Sequence, residues 1–149
     1  MSNLVPFETT LMVRDACLCL HTQRAARALA RHFDDVLRPL ALTNGQFSLL
    51  MSLNRPQPPN MGSVARLLAM DRTTLTAALK ALERRALVSV EVDPEDRRSR
   101  ILRLTDSGNA TLAEAIPLWR ATHARIEGTL AGLDAADFRL ALNGLAGHE

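Results

Sequence analysis

Along most of the 149-residue chain, apolar side chains recur every three or four positions, the spacing of helices that bury one face. From about Glu8 to Leu37 neither Gly nor Pro intervenes, and Pro39 then stops the run, which predicts one long helix. On its wheel Cys19, Ala26, Ala30, Phe33 and Leu37 share a face, with Cys17, His21, Arg24, Ala28 and Arg31 opposite. Thr43-Asn44-Gly45-Gln46 forms a capping box. Leu42 and Phe47 stand at the positions of a hydrophobic staple, so the next helix starts at Asn44. It runs into "RPQPPN", whose prolines must end it.

A short helix is expected over "MGSVARLLAM", and Asp71 is a good N-cap for its successor, "RTTLTAALKALERR". In that second helix Leu75, Ala78, Leu79 and Leu82 follow the i, i+3, i+4, i+7 pattern of a core face. Thr73, Thr76, Ala77, Lys80 and Arg84 lie opposite, small, hydroxylated or basic. The period then changes to two. Val88, Val90 and Val92 alternate with Ser89 and Glu91, and "RILRL" supplies a second strand, leaving 93–99 as a hairpin loop. Thr105 caps a long helix from Asp106 to about Leu130, which Pro117 should kink, and Asp134 caps a last helix to about Leu145. The fold class is therefore mainly α with one small β-hairpin.

Composition narrows this picture. With 47% hydrophobic residues there is enough apolar surface to bury a core, and the length suits one domain. Charges interrupt every apolar run before about 18 residues, so no membrane span is expected. The N-terminus lacks a basic segment followed by an apolar one, which points to a cytoplasmic protein. The only cysteines, Cys17 and Cys19, lack zinc-ligand spacing, and neither metal nor cofactor is expected. Net charge is +2, unevenly spread: residues 62–105 carry +3 and residues 106–149 carry −3.

Two short helices in tight succession, the second with a polar small-residue face, followed at once by a hairpin, describe a winged helix-turn-helix. A helix fits the major groove of B-DNA, where Thr hydroxyls and methyls and Lys or Arg can read base edges or hold phosphates. The hairpin loop "DPEDRRSR" would then lie over the adjacent minor groove, whose negative potential attracts Arg. Candidate DNA-binding residues are Ser63, Arg72, Thr73, Thr74, Thr76, Lys80 and Arg84 from the helices. From the wing they are Asp96, Arg97, Arg98 and Arg100, with Asp96 expected to hold the Arg98 guanidinium in place. A mixed-charge loop taken alone is more simply a solvated turn. Order and spacing together favour DNA.

"DRTTLTAALKALERRALV", "DPEDRRSRILRLTDSG" and "LTNGQFSLL" resemble the MarR family of bacterial transcription regulators. The most specific parts are the D-x-R wing, Asp96 and Arg98, and the L-T-x-x-G from Leu104 to Gly108. The resemblance implies a homodimer joined through helices at 8–38 and 106–149, with a DNA-binding lobe at 43–105. It also implies a palindromic double-stranded operator with half-sites roughly one helical turn apart, and repression relieved by a small-molecule inducer or an oxidant. The inducer pocket would lie between dimer helices and lobe. Two positions depart from the pattern. Ala86 stands where the family usually has Gly, costing on the order of 1 kcal/mol if the backbone there is left-handed, and Val90 stands where many members carry Arg.

Cys19 falls where the organic-peroxide-sensing branch of the family places its reactive cysteine, but Gln23 and Phe33 replace that branch's tyrosines. Judged by its neighbours His21 and Arg24, Cys17 is the better thiolate candidate, and Cys19 on the aliphatic face reads as packing. A bridge between the two would require local unwinding. An enzyme would pair Cys17 with His21 as nucleophile and base, but no orienting third group, oxyanion donor or Gly-rich phosphate loop accompanies them, so no enzyme is expected. A winged-helix interaction module without DNA binding is a further alternative, disfavoured by the polar and basic Thr73, Thr76, Lys80 and Arg98. His32, His123 and His148 read as solvated or satisfied, and Trp119 as core or dimer packing.

Overall fold

The computed structural model describes residues 4–147, so His148 lies outside the described residues. The protein runs α1 (Phe7–Ala16), α2 (Leu18–Leu37), a 3-10 turn (Arg38–Leu40), α3 (Asn44–Leu53), α4 (Met61–Leu67) and α5 (Arg72–Arg84). There follow β1 (Val88–Val92), β2 (Arg100–Leu104), α6 (Asp106–Glu127) and α7 (Ala135–Ala146). The expected mainly helical fold with one hairpin is present.

The long N-terminal helix is a correction, because it is broken at Cys17. That residue takes extended backbone, and its sulfur accepts from the Leu20 amide at 3.4 Å. The thiol thus fills the N-cap role usually taken by a side-chain oxygen, offsetting an amide freed by the break. The two cysteines therefore do not share one continuous helical wheel.

Around α3 the local signals act as expected. Thr43 and Gln46 complete the capping box, and both staple residues, Leu42 and Phe47, are buried. Asp34 of α2 adds a tie, its carboxylate accepting from the Asn44 amide at 2.7 Å and from its side-chain amide at 2.9 Å. These bonds from the Asn44 side chain and backbone hold the Asp34 carboxyl below the usual range, with Arg38 adding to the effect.

The core gathers one face of each lobe element: Leu37, Phe47, Leu49, Leu50 and Leu53, then Val64, then Leu75, Leu79 and Leu82. Leu87, Val88 and Leu102 of the hairpin and Leu112 and Ala115 of α6 close it. Burying each large aliphatic side chain contributes about 1.5–3 kcal/mol, which anchors the helix faces in one register. The antiparallel strands pair Val88 with Leu104 through Val92 with Arg100. Leu102 also donates to the Pro59 carbonyl at 3.0 Å, attaching the proline-rich loop to the hairpin.

The α6 helix continues through Pro117 and packs Trp119 on Phe47, with ring centroids 6.3 Å apart. His123 stacks on the other side of Trp119 at 4.6 Å, its Nδ1 3.7 Å from Glu127. At the start of α6 the backbone passes so close to the hairpin that a methyl group on Gly108 would sit 2.0 Å from the Leu87 carbonyl oxygen. By contrast α1 and α7 bury no residue, and Leu4, Phe7, Met12, Leu140 and Leu145 are exposed. None of the described helices is long and apolar enough to cross a membrane.

Candidate nucleic-acid interface

Helix α5 is fixed from its start. Asp71 accepts from the Thr74 amide and the Thr74 hydroxyl, both at 2.8 Å. The Thr74 amide first, and then its hydroxyl, hold the Asp71 carboxyl below the ordinary carboxylate range. Thr74 therefore serves the cap. With Leu75, Leu79 and Leu82 buried, Thr73, Ala77, Lys80 and Arg84 form an exposed stripe at helical spacing. Thr76 is half-buried, and its hydroxyl donates to the Arg72 carbonyl at 2.7 Å, leaving its oxygen free to accept.

In α4, Asn60 caps the helix through the Ser63 amide at 2.9 Å, and the Ser63 hydroxyl donates to the Asn60 carbonyl at 3.0 Å. Ser63 is thereby oriented by the helix start and stands half-buried. The connection to α5 passes through Ala69 with φ 49°, a left-handed turn made without glycine.

The wing is built by its acids. Asp93 accepts from the Glu95 amide at 2.9 Å, and Asp96 accepts from the Arg98 amide at 3.0 Å. The expectation for Asp96 is corrected here: it holds the Arg98 backbone in a local turn rather than the guanidinium, because a carboxylate two residues back reaches the amide first. The guanidinium of Arg98 is left exposed. Arg100 instead turns back on the loop, donating from Nη1 to the Ser99 carbonyl at 3.1 Å and the Arg97 carbonyl at 3.2 Å. Arg97 is exposed at the tip.

An open groove of about 740 Å³ joins these parts. It brings Arg72 and Thr76 of α5 together with Asp96, Arg98 and Arg100 of the wing, while Ser63, Thr73, Lys80, Arg84 and Arg97 lie outside it. Arg66, in the last turn of α4, also lines the groove and was missed from sequence. Its position three residues after Ser63, on the same helical face, was the available signal. Among the described residues none of Arg66, Arg72, Arg98 and Arg100 pairs with a carboxylate, whereas Arg14, Arg38, Arg103 and Arg139 each do. Unneutralised guanidinium groups around a groove favour an anionic partner.

The cysteine region is arranged differently from the sequence reading. Cys17 is half-buried and engaged as a cap, while Cys19 is exposed and accepts from Gln23 Nε2 at 3.3 Å. His21 Nδ1 meets the Cys17 carbonyl oxygen at 2.7 Å rather than its sulfur. No nucleophile–base pair is assembled there. The described residues contain no His, Cys, Asp and Glu cluster able to hold a metal.

Capped helix pair, core-facing leucines, exposed threonine–lysine stripe and arginine-bearing hairpin define a winged helix-turn-helix protein. The MarR family model matches residues 42–99, the span from the staple to the wing tip. The transcriptional regulator MosR of M. tuberculosis, solved in complex with DNA, is 36% identical with a TM-score of 0.80, over 87% of this chain and 93% of that one. The transcriptional repressor CouR, bound to a 23-mer DNA duplex, is 34% identical with a TM-score of 0.74, over 95% of this chain and 96% of that one. The transcriptional repressor NicR of Pseudomonas putida is 37% identical over 79 residues, 53% of this chain and 50% of that protein. The matched stretch spans about half the length, or less, of the first curated relatives. The chain belongs to the MarR family. An enzymatic role for Cys17 and His21 has neither geometry nor family behind it.

Proposed function

We propose that this protein is a sequence-specific, double-stranded-DNA-binding transcriptional regulator, a cytoplasmic repressor released by a small ligand or an oxidant. Residues 43–105 form its DNA-binding lobe, and helices at 8–38 and 106–149 join two copies into a homodimer on a palindromic operator. Helix α5 enters the major groove with Thr73, Lys80 and Arg84, and the wing sets Arg98 at the neighbouring minor groove. The observation that carries this reading is the set of four uncompensated arginines at the meeting of α4, α5 and wing. A protein-interaction surface would present apolar anchors there instead.

Duplexes selected from random DNA by the full-length protein supply the operator for the test. Arg98→Ala should weaken binding to it and lower the slope of log affinity against log salt by about 0.9, the release of one phosphate's counterion. Unchanged affinity and slope would remove the wing from the interface. Failure to select any duplex would remove the whole reading.

Oxidant release is favoured at Cys19 rather than Cys17 by the exposed sulfur and its bond from Gln23. The step is attack of the Cys19 thiolate on an organic hydroperoxide, giving a sulfenic acid and the corresponding alcohol. Peroxide treatment in the same titration should release the wild type and Cys17→Ser from DNA but not Cys19→Ser.

A further inference from the structure

Arg85 stands one residue beyond α5, at the end of that helix far from Arg72 and Thr73, and neither the groove nor the exposed stripe uses it. Its guanidinium crosses to the other side of the fold. Nη1 donates to the Ala41 carbonyl at 2.6 Å and Nη2 to the Leu40 carbonyl at 3.2 Å. Those carbonyls belong to the turn that ends α2, where a helix leaves acceptors without amide partners and carries the negative end of its dipole. Arg85 therefore caps the C-terminus of α2 from forty-odd residues away in sequence.

The same end of α5 is gripped from α6. The Thr105 hydroxyl donates to the Ala86 carbonyl at 2.6 Å, the Thr105 amide to the Leu87 carbonyl at 3.1 Å, and Gly108 packs directly on that carbonyl. Helix α5 is thus a cantilever. Its C-terminal end is tied on one side to α2 and on the other to α6, the two helices assigned to the dimer, and its N-terminal end projects to the groove. Thirteen residues of helix span about 20 Å, so a 5° change of angle at the root moves the tip by roughly 1.7 Å. A displacement of that size is enough to break base-edge hydrogen bonds, which weaken steeply beyond about 3.2 Å.

We infer that Arg85 is a positioning residue for operator recognition: by clamping the Leu40–Ala41 turn it fixes the angle of α5 against the dimer scaffold without touching DNA. The inference rests on the regulator reading above. Arg85→Met keeps the length of the stem and removes every donor, and Arg85→Lys keeps the charge and can donate to the same carbonyls.

The test is binding of the full-length protein to its selected operator across a salt series, and to duplexes with the half-site spacing changed by one base pair in either direction. Arg85→Met should bind the operator about tenfold more weakly, because the ordering of the helix is then paid for on binding. Its salt slope should equal the wild type's, and its preference for the native spacing should narrow. Arg85→Lys should recover most of both. A slope reduced by about 0.9 would make Arg85 a phosphate contact and overturn the inference, as would unchanged affinity and spacing preference. Should Arg85→Met fail to fold by circular dichroism, Arg85→Lys decides: unchanged affinity with unchanged spacing preference supports the clamp, and a changed salt slope refutes it. Wild-type protein that binds no duplex would sink the regulator reading itself, a distinct result.

Discussion

Ala86 has φ 56° and an exposed methyl, one residue past the cap of the recognition helix. For an L-residue the left-handed region costs about 1–2 kcal/mol, through crowding of Cβ against the following carbonyl. Ala86→Gly removes that crowding. It also widens the conformational freedom of the unfolded state, an opposing effect of about 0.4–1 kcal/mol. Nothing else changes sides. The methyl buries no area, the Ala86 amide still donates to Glu83 at 2.8 Å, and its carbonyl still accepts from Thr105. The net expectation is a gain of about 0.5–1 kcal/mol, which at this size corresponds to a Tm higher by about 1–4 °C. Ala77→Gly supplies the control of opposite sign, because that residue is exposed in the interior of α5 and the exchange should cost about 1 kcal/mol. Both are measured by thermal and urea unfolding followed by circular dichroism, with protomer concentration fixed because an obligate dimer's midpoint depends on it. A lower Tm for Ala86→Gly, or shifts of the same sign in both variants, would refute the assignment of strain to this turn.

Gly108→Ala should do the reverse, since its methyl would overlap a backbone carbonyl that cannot rotate away; a loss of at least about 1–3 kcal/mol is expected in the same unfolding assay. Ala69→Gly, at φ 49° in the turn between α4 and α5, should stabilise like Ala86→Gly and is read in the same melts. Asp34 and Asp71 have carboxyls lowered on folding, so their contribution is complete above the unfolded value near about 4 and is lost as pH falls through the folded values. Urea midpoints measured from about pH 7 to about pH 3 should therefore fall most steeply at the acid end, and Asp34→Asn should fall less over that window than the wild type.

Features set by neighbouring residues were legible in the sequence. The Thr43–Gln46 box, the Leu42–Phe47 staple, the Asp71 cap and the two faces of α5 each depend on residues within a turn or two, and all are found in place. Strand alternation from Val88 to Val92 likewise fixed the hairpin and its register. What escaped was of two kinds. The break at Cys17 lies in a run without Gly or Pro, and its cap is a sulfur, a weak acceptor that no capping rule ranks. The ties of Arg85 to Ala41 and of Asp34 to Asn44 join elements through the fold, and charge patterning along the sequence holds no trace of which carbonyl a guanidinium will find. The candidate site divides in the same way. The wing arginines were visible as a run, but which of them point outward was decided by local competition for carbonyls, leaving Arg98 exposed and Arg100 folded back.

The distribution of buried area joins stability to function. Every large aliphatic residue of α3 to β2 that faces inward finds partners within the protomer, whereas α1 and α7 bury none. Amphipathic helices of ten to twelve residues are marginal alone in water, because packing rather than propensity supplies their stability. Under the homodimer reading the apolar faces that carry Phe7, Met12, Leu140 and Leu145 are covered by the second copy. The contacts that complete the fold of the terminal helices then also set the distance between the two α5 helices. A ligand that alters the packing of α2 against its neighbours would reach α5 through the short hydrogen bonds at Leu40, Ala41 and Ala86, not through the leucine core, which is shared by both states. Release from DNA then requires only a rotation at the root of α5, with the lobe itself intact.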